Sequence, residues 1–134
     1  MKVVIDTNVF VSGVFFKGPP YQILKAWRAE RIELAISQEI LDEYCRIGEE
    51  LSEEHPTVDL EPALTFIRQN ISFITAKPLP EPVCSDPDDD KFIACALAAS
   101  CKIIVSGDKH LLGVSGYQKI EVVKPRQFVD SYLA

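Results

Sequence analysis

Short apolar runs rich in β-branched residues, recurring between helical patterns, constrain this chain more than any other feature. "KVVI" at the start, "KIIVS" at 102–106 and "IEVV" at 120–123 are not the alternating strands of a sheet with one wet face. Runs of this kind suit strands covered on both sides. They predict strands at 2–6, 33–36, 71–75, 102–106 and 120–123, with helices at 20–30, 38–51, 60–69, 88–100 and 125–133. Pro20, Pro62, Pro87 and Pro125 each fit the first turn of a helix, where a missing N–H costs nothing. Strands that alternate with helices imply an α/β fold with a parallel sheet sandwiched between helical layers. A length of 134 residues suits one domain spanning 1–134. The proline-rich "AKPLPEPVCSDP" (76–87) reads as a surface connection within it.

In open parallel sheets, ligands bind outside the carboxyl ends of the strands. That directs attention to "VVIDTNVF", where a strand built for burial ends on Asp6. Asp108 follows the fourth strand across a short step in "IIVSGDKHLL" and would lie at the same edge. Each aspartate also has a plainer explanation, as a helix cap or turn former. The helix capped by Ser37 carries Ile40, Tyr44, Ile47 and Leu51 as its apolar stripe, with Glu39 and Glu43 on one flank. Glu39 suits the positive end of the helix dipole, an explanation that fits Glu43 less well. In "SDPDDDKFIACALAA", Asp86 is a natural N-cap, and Asp88 and Asp89 fall in the first turn. Asp90 shares a face with Ile93, Ala94 and Leu97, and a carboxylate aimed at the core needs compensation.

Asp6, Glu43, Asp90 and Asp108 are thus the acids expected to meet at one spot. Four anions in one pocket repel unless a cation joins them. Oxygen ligands without His or Cys select hard ions such as Mg²⁺ or Mn²⁺. Such an ion can activate water and neutralise charge developing on a phosphodiester. Thr7, Asn8 and Ser106 are placed to orient the carboxylates or bound water.

The order "IDTNVFVSG", "SQEILDEY", "DPDDDKFIACALAA", "IIVSGDKHLL" resembles the PIN-domain (PilT N-terminus-like) family, and within it the stand-alone bacterial and archaeal toxins of toxin–antitoxin pairs. The similarity runs through the closing "IEVVKPRQFV". It implies a three-layer α/β/α sandwich around a five-stranded parallel sheet ordered 3-2-1-4-5. It also implies a Mg²⁺- or Mn²⁺-dependent ribonuclease acting on single-stranded RNA, an antitoxin partner and a homodimer. The family's four acids map onto Asp6, Glu43, Asp90 and Asp108. Its small polar groups map onto Thr7, Asn8 and Ser106, while Asp86, Asp88 and Asp89 are additional acids of the same run.

Charge and the remaining residues bound this expectation. A net charge of −6 argues against a broad basic surface for nucleic acid, though not against nucleic acid as substrate. Cys45, Cys84, Cys95 and Cys101 show no CxxC spacing, which disfavours a zinc site. The N-terminal apolar run is too short for a signal peptide and no run would span a bilayer, so a cytoplasmic protein is expected. Lys109 and His110 could touch a substrate phosphate, although such residues more often cap a helix or face water. Lys25, Arg28 and Arg31 read as a solvated helix face, and Trp27, Phe15, Phe16 and Tyr21 as core or a partner surface. Two other functions compete. A doubly wound phosphatase of the DxD type would need an acid where Asn8 stands. A non-catalytic binding module would keep the acids and cleave nothing.

Overall fold

A computed structural model describes all 134 residues. Four parallel strands, β1 (Lys2–Ile5), β2 (Glu33–Leu34), β3 (Ile103–Val105) and β4 (Glu121–Val123), form one sheet in the order β2-β1-β3-β4. Val4 and Ile5 of β1 pair with Ile104 and Val105 of β3, whose own partners in β4 are Val122 and Val123. β1 and β3 are therefore central, and their carboxyl ends lie side by side. Helices α1 (Thr7–Phe15), α2 (Pro19–Arg28), α3 (Gln38–Glu54), α4 (Glu61–Asn70), α5 (Asp90–Ala98), α6 (Lys109–Leu112) and α7 (Pro125–Phe128) follow in chain order. A π-helical turn over Val129–Leu133 extends α7, so the helix expected at 125–133 is present in altered form. No helix is long and apolar enough to cross a membrane.

The α/β reading with a parallel sheet stands, but the five-stranded order 3-2-1-4-5 does not. The segment 71–75 contributes a single bridge, Ser37 to Ile74, closed by the Ile74 N–H donating to the Ile36 carbonyl at 2.9 Å. Ser72, Phe73 and Thr75 are exposed, so too little of this run is buried to hold a full ladder on the edge. Between it and β2 lies an open groove of about 590 Å³, lined by Trp27, Leu34, Phe66 and Ile71 among others.

Helix α1 was not expected from periodicity. Its sequence, TNVFVSGVF, is rich in β-branched residues that favour strands, and it buries Thr7, Val9, Phe10, Val11, Gly13 and Phe15, leaving little polar face to show a period. Asp6 starts it: the side chain accepts a hydrogen bond from the Val9 N–H at 2.9 Å. Gly13 lets α1 approach α2 closely. A β-carbon there would stand 2.8 Å from the Pro20 carbonyl oxygen and 2.7 Å from Leu24 Cδ1. Backbone cannot give way as a side-chain tip can, so Gly13→Ala should destabilise despite its better helix propensity. Overpacking of ~1–3 kcal/mol against a propensity gain of ~1 kcal/mol leaves a net loss of up to about 2 kcal/mol, to be read from urea denaturation.

Trp27 and Phe15 are core residues, whereas Phe16 and Tyr21 are exposed. Lys25, Arg28 and Arg31 are exposed as expected, with Arg31 donating to the Leu133 carbonyl at 3.0 Å and Arg28 resting over the Phe66 ring.

Candidate functional site

Asp6 sits where β1 gives way to α1, only 4% exposed. One carboxylate oxygen caps α1, and the other accepts a hydrogen bond from the Ser106 hydroxyl. Ser106, fully buried just past β3, also accepts the Asp108 N–H at 2.9 Å. One hydroxyl oxygen thus links the acid after β1 to the acid after β3. Asp108 caps α6 by accepting the His110 N–H at 2.7 Å, so its plainer role is real as well.

Glu43 reaches the same edge from α3. Its Oε2 accepts the Thr7 hydroxyl, and its Oε1 accepts the Lys91 ammonium at 2.6 Å. Tyr44, the next residue, explains why α3 lies where it does. Its ring stacks on Phe10 of α1 with centroids 4.2 Å apart, and its hydroxyl donates to the Ile5 carbonyl at 2.6 Å. The residue before Asp6 is thereby tied to the residue after Glu43.

The acidic run behaves differently from the sequence expectation. Asp86 caps a 3-10 turn over Pro87–Asp89 by accepting the Asp88 N–H at 3.0 Å, as its position suggested. The Asp90 carboxylate serves two backbone N–H groups. It accepts the Cys84 N–H at 2.8 Å and the Val83 N–H at 3.2 Å, fastening the end of the proline-rich connection to α5. Asp89 holds a buried oxygen, Oδ2, with no hydrogen-bond partner, and the negative charge of Asp108 acts on it directly. Asp90 opens α5 beyond the 3-10 turn, on a face where Ile93 is buried but Leu97 is exposed, and two backbone N–H groups supply the compensation its carboxylate needs.

Electrostatics mark the same residues. The Asp6 carboxyl is pushed up to about 6, chiefly by burial; the Ser106 hydroxyl and Val9 N–H pull it down, while Asp108 and Glu43 push it up. Asp89 is likewise raised to about 6 by burial, then by Asp108 and Asp86, with His110 opposing. Burial works against the charge on Lys91, but Glu43 and then Asp88 outweigh it and hold the ammonium above its usual range.

The donors are all carboxylate oxygens, one of them buried and unpartnered, which is chemistry that fits a hard divalent ion. A ready-made cage is absent, however: no three carboxylate, imidazole or thiol groups stand together as a ligand set. Of the four acids expected at one spot, Asp108 and Glu43 both act on the charge of Asp6. Asp90 is committed to backbone N–H groups and Glu43 to Thr7 and Lys91. Among the polar residues, Thr7 and Ser106 are buried and bonded to acids, whereas Asn8 is exposed. Sequence reasoning overlooked Lys91. Its signal was the acid three residues before it, Asp88, which it reaches at 3.3 Å.

Residues 2–110 match the family described as PIN domain. The chain belongs to the PIN-domain family. PIN domains are generally nucleases, typically metal-dependent hydrolases, and the matched span holds every acid discussed above. This PIN domain is also 31% identical to an uncharacterized protein of Methanocaldococcus jannaschii, over 98% of this chain and 92% of that one.

Proposed function

We propose that this PIN domain hydrolyses phosphodiester bonds of single-stranded RNA with the help of Mg²⁺ or Mn²⁺. The observation that carries the reading is the Ser106 hydroxyl joining the Asp6 carboxylate to the Asp108 N–H, with the unpartnered Asp89 oxygen under the charge of Asp108. Asp6 and Asp108 are the acids proposed to hold an ion, joined by the unpartnered oxygen of Asp89, with Asp90 and Glu43, the other two acids of the family pattern, acting beside them. A divalent ion, when bound, offsets the mutual repulsion of these acids and the charge developing on the phosphate. The chain's own contributions are positional. Ser106 keeps Asp6 and Asp108 in register, Thr7 orients Glu43, and the Asp89 oxygen accepts a hydrogen bond from the attacking water. That water adds to phosphorus as the P–O3′ bond breaks, leaving a 5′-phosphate and a free 3′-hydroxyl. Asp86 and Asp88 shape the acidic turn rather than contact the reacting atoms, and Asn8, at the exposed start of α1, is free to meet the substrate.

The purified protein is expected to cut labelled single-stranded RNA with Mn²⁺ and not with EDTA, and to leave a phosphate-ester dye intact. Dye hydrolysis with intact RNA would move it to the phosphatases, and RNA retention without cleavage to the binding modules. The toxin role, with an antitoxin partner and a homodimeric assembly in the cytoplasm, extends the same proposal on the family resemblance. Growth arrest on induced expression and a doubled mass in light scattering are its tests.

A further inference from the structure

Lys91 is the one cation seated among these acids by close contact. Its Nζ lies 2.6 Å from Glu43 Oε1 and 3.3 Å from Asp88 Oδ1, and its side chain is only 18% exposed. Arg46 approaches the same Glu43 oxygen no closer than 3.8 Å, from a side chain that is 61% exposed. Glu43 is itself 13% exposed, and its other oxygen is taken by Thr7. Both oxygens of Glu43 are therefore engaged by groups of this chain, from α1 on one side and α5 on the other.

We infer that the Lys91 ammonium is a built-in cation that occupies the Glu43 side of the site, so that this PIN domain holds one divalent ion and not two. The inference rests on the nuclease reading and refines it. A half-buried carboxylate needs a compensating positive charge, and a tethered ammonium at hydrogen-bond distance supplies it without the entropy of capturing an ion from solution. Bringing a divalent ion onto Glu43 would require displacing that ammonium and leaving it buried beside a like charge, which is unfavourable. Lys91 is thus a positioning residue: it holds Glu43 across from Asp6 and limits how many ions enter. No lysine or arginine pairs with Asp6, Asp89 or Asp108, and there an ion from solution is still needed.

Counting Mn²⁺ bound per chain by equilibrium dialysis, with electron paramagnetic resonance to detect spin-coupled pairs, tests this without reference to activity. The wild-type chain and Lys91→Arg should bind one Mn²⁺ with no coupled signal. Lys91→Gln, checked for folding by circular dichroism, should bind a second, and adding Glu43→Gln should remove it again. Two ions in the wild-type chain would overturn the inference with no variant required, and so would a folded Lys91→Gln chain that still binds one. No ion in the wild-type chain would instead sink the metal-dependent reading beneath it.

Discussion

Replacing Asp6 by asparagine should abolish RNA cleavage and, in the same protein, raise the melting temperature of the metal-free form at pH 8. The first effect follows from removing a charged donor from the site, at a cost of at least about a hundredfold in rate. The second follows from the direction of the Asp6 shift. Its carboxyl is raised from 3.8 to about 6 in the folded chain. A carboxyl raised by folding favours the native state below the unfolded value and withdraws that support as pH climbs through the folded value. Metal-free protein should therefore lose stability between about pH 4 and pH 7, with Asp89, also raised to about 6, adding a smaller share because it is less buried. For Asp6, the difference between 3.8 and about 6 corresponds to at most ~3 kcal/mol. Asparagine still accepts the Val9 N–H as a cap, so about 1–2 kcal/mol of this should return in Asp6→Asn, a rise of several degrees by calorimetry. A variant that loses activity by misfolding would show the opposite change in melting. Mn²⁺ should raise the melting temperature of the wild-type chain more at pH 8 than at pH 5, where protons compete for the same oxygens.

The second large effect is expected at Tyr44. Tyr44→Ala removes a fully buried ring stacked on Phe10 and leaves the Ile5 carbonyl without its donor. Loss of a buried aromatic costs about 3–5 kcal/mol, much of a typical domain's total stability of roughly 5–15 kcal/mol. Most of the chain should be unfolded at moderate urea. Tyr44→Phe keeps the stack and gives up only the hydrogen bond, about 1 kcal/mol. It should stay folded while activity declines, because the bond that fixes Glu43 relative to Asp6 is gone. Equal urea midpoints for the two variants would show that the stacked ring adds nothing to stability beyond the hydrogen bond.

The strands of the sheet's centre and the long amphipathic α3 were legible because burial imposes a pattern: continuous apolar runs in one case, a stripe at helical spacing in the other. Asp6 and Asp108 were legible because a charged residue at the end of a buried run is conspicuous. Helix α1 was hidden by the same burial that made β1 obvious, since a segment apolar all round has no moment to read and its valines favour strands. The strand expected at 71–75 had the right residues but only one neighbour and an exposed outer face, and burial, not propensity, decides pairing there. The buried, unpartnered oxygen of Asp89 was hidden because a first-turn acid at a helix start ordinarily faces solvent. Lys91 was hidden because its main partner, Glu43, lies 48 residues away, beyond any local spacing rule.

The lone rung between Ser37 and Ile74 divides the molecule by firmness. On that flank the sheet stops zipping after one tooth, and the neighbouring groove admits solvent to the backbone. On the other, β1 is locked between β2 and β3 and crossed by the Tyr44 tie. Thermal fluctuation will thus start at the outer margin, and the rim bearing the acids will be the last part to loosen.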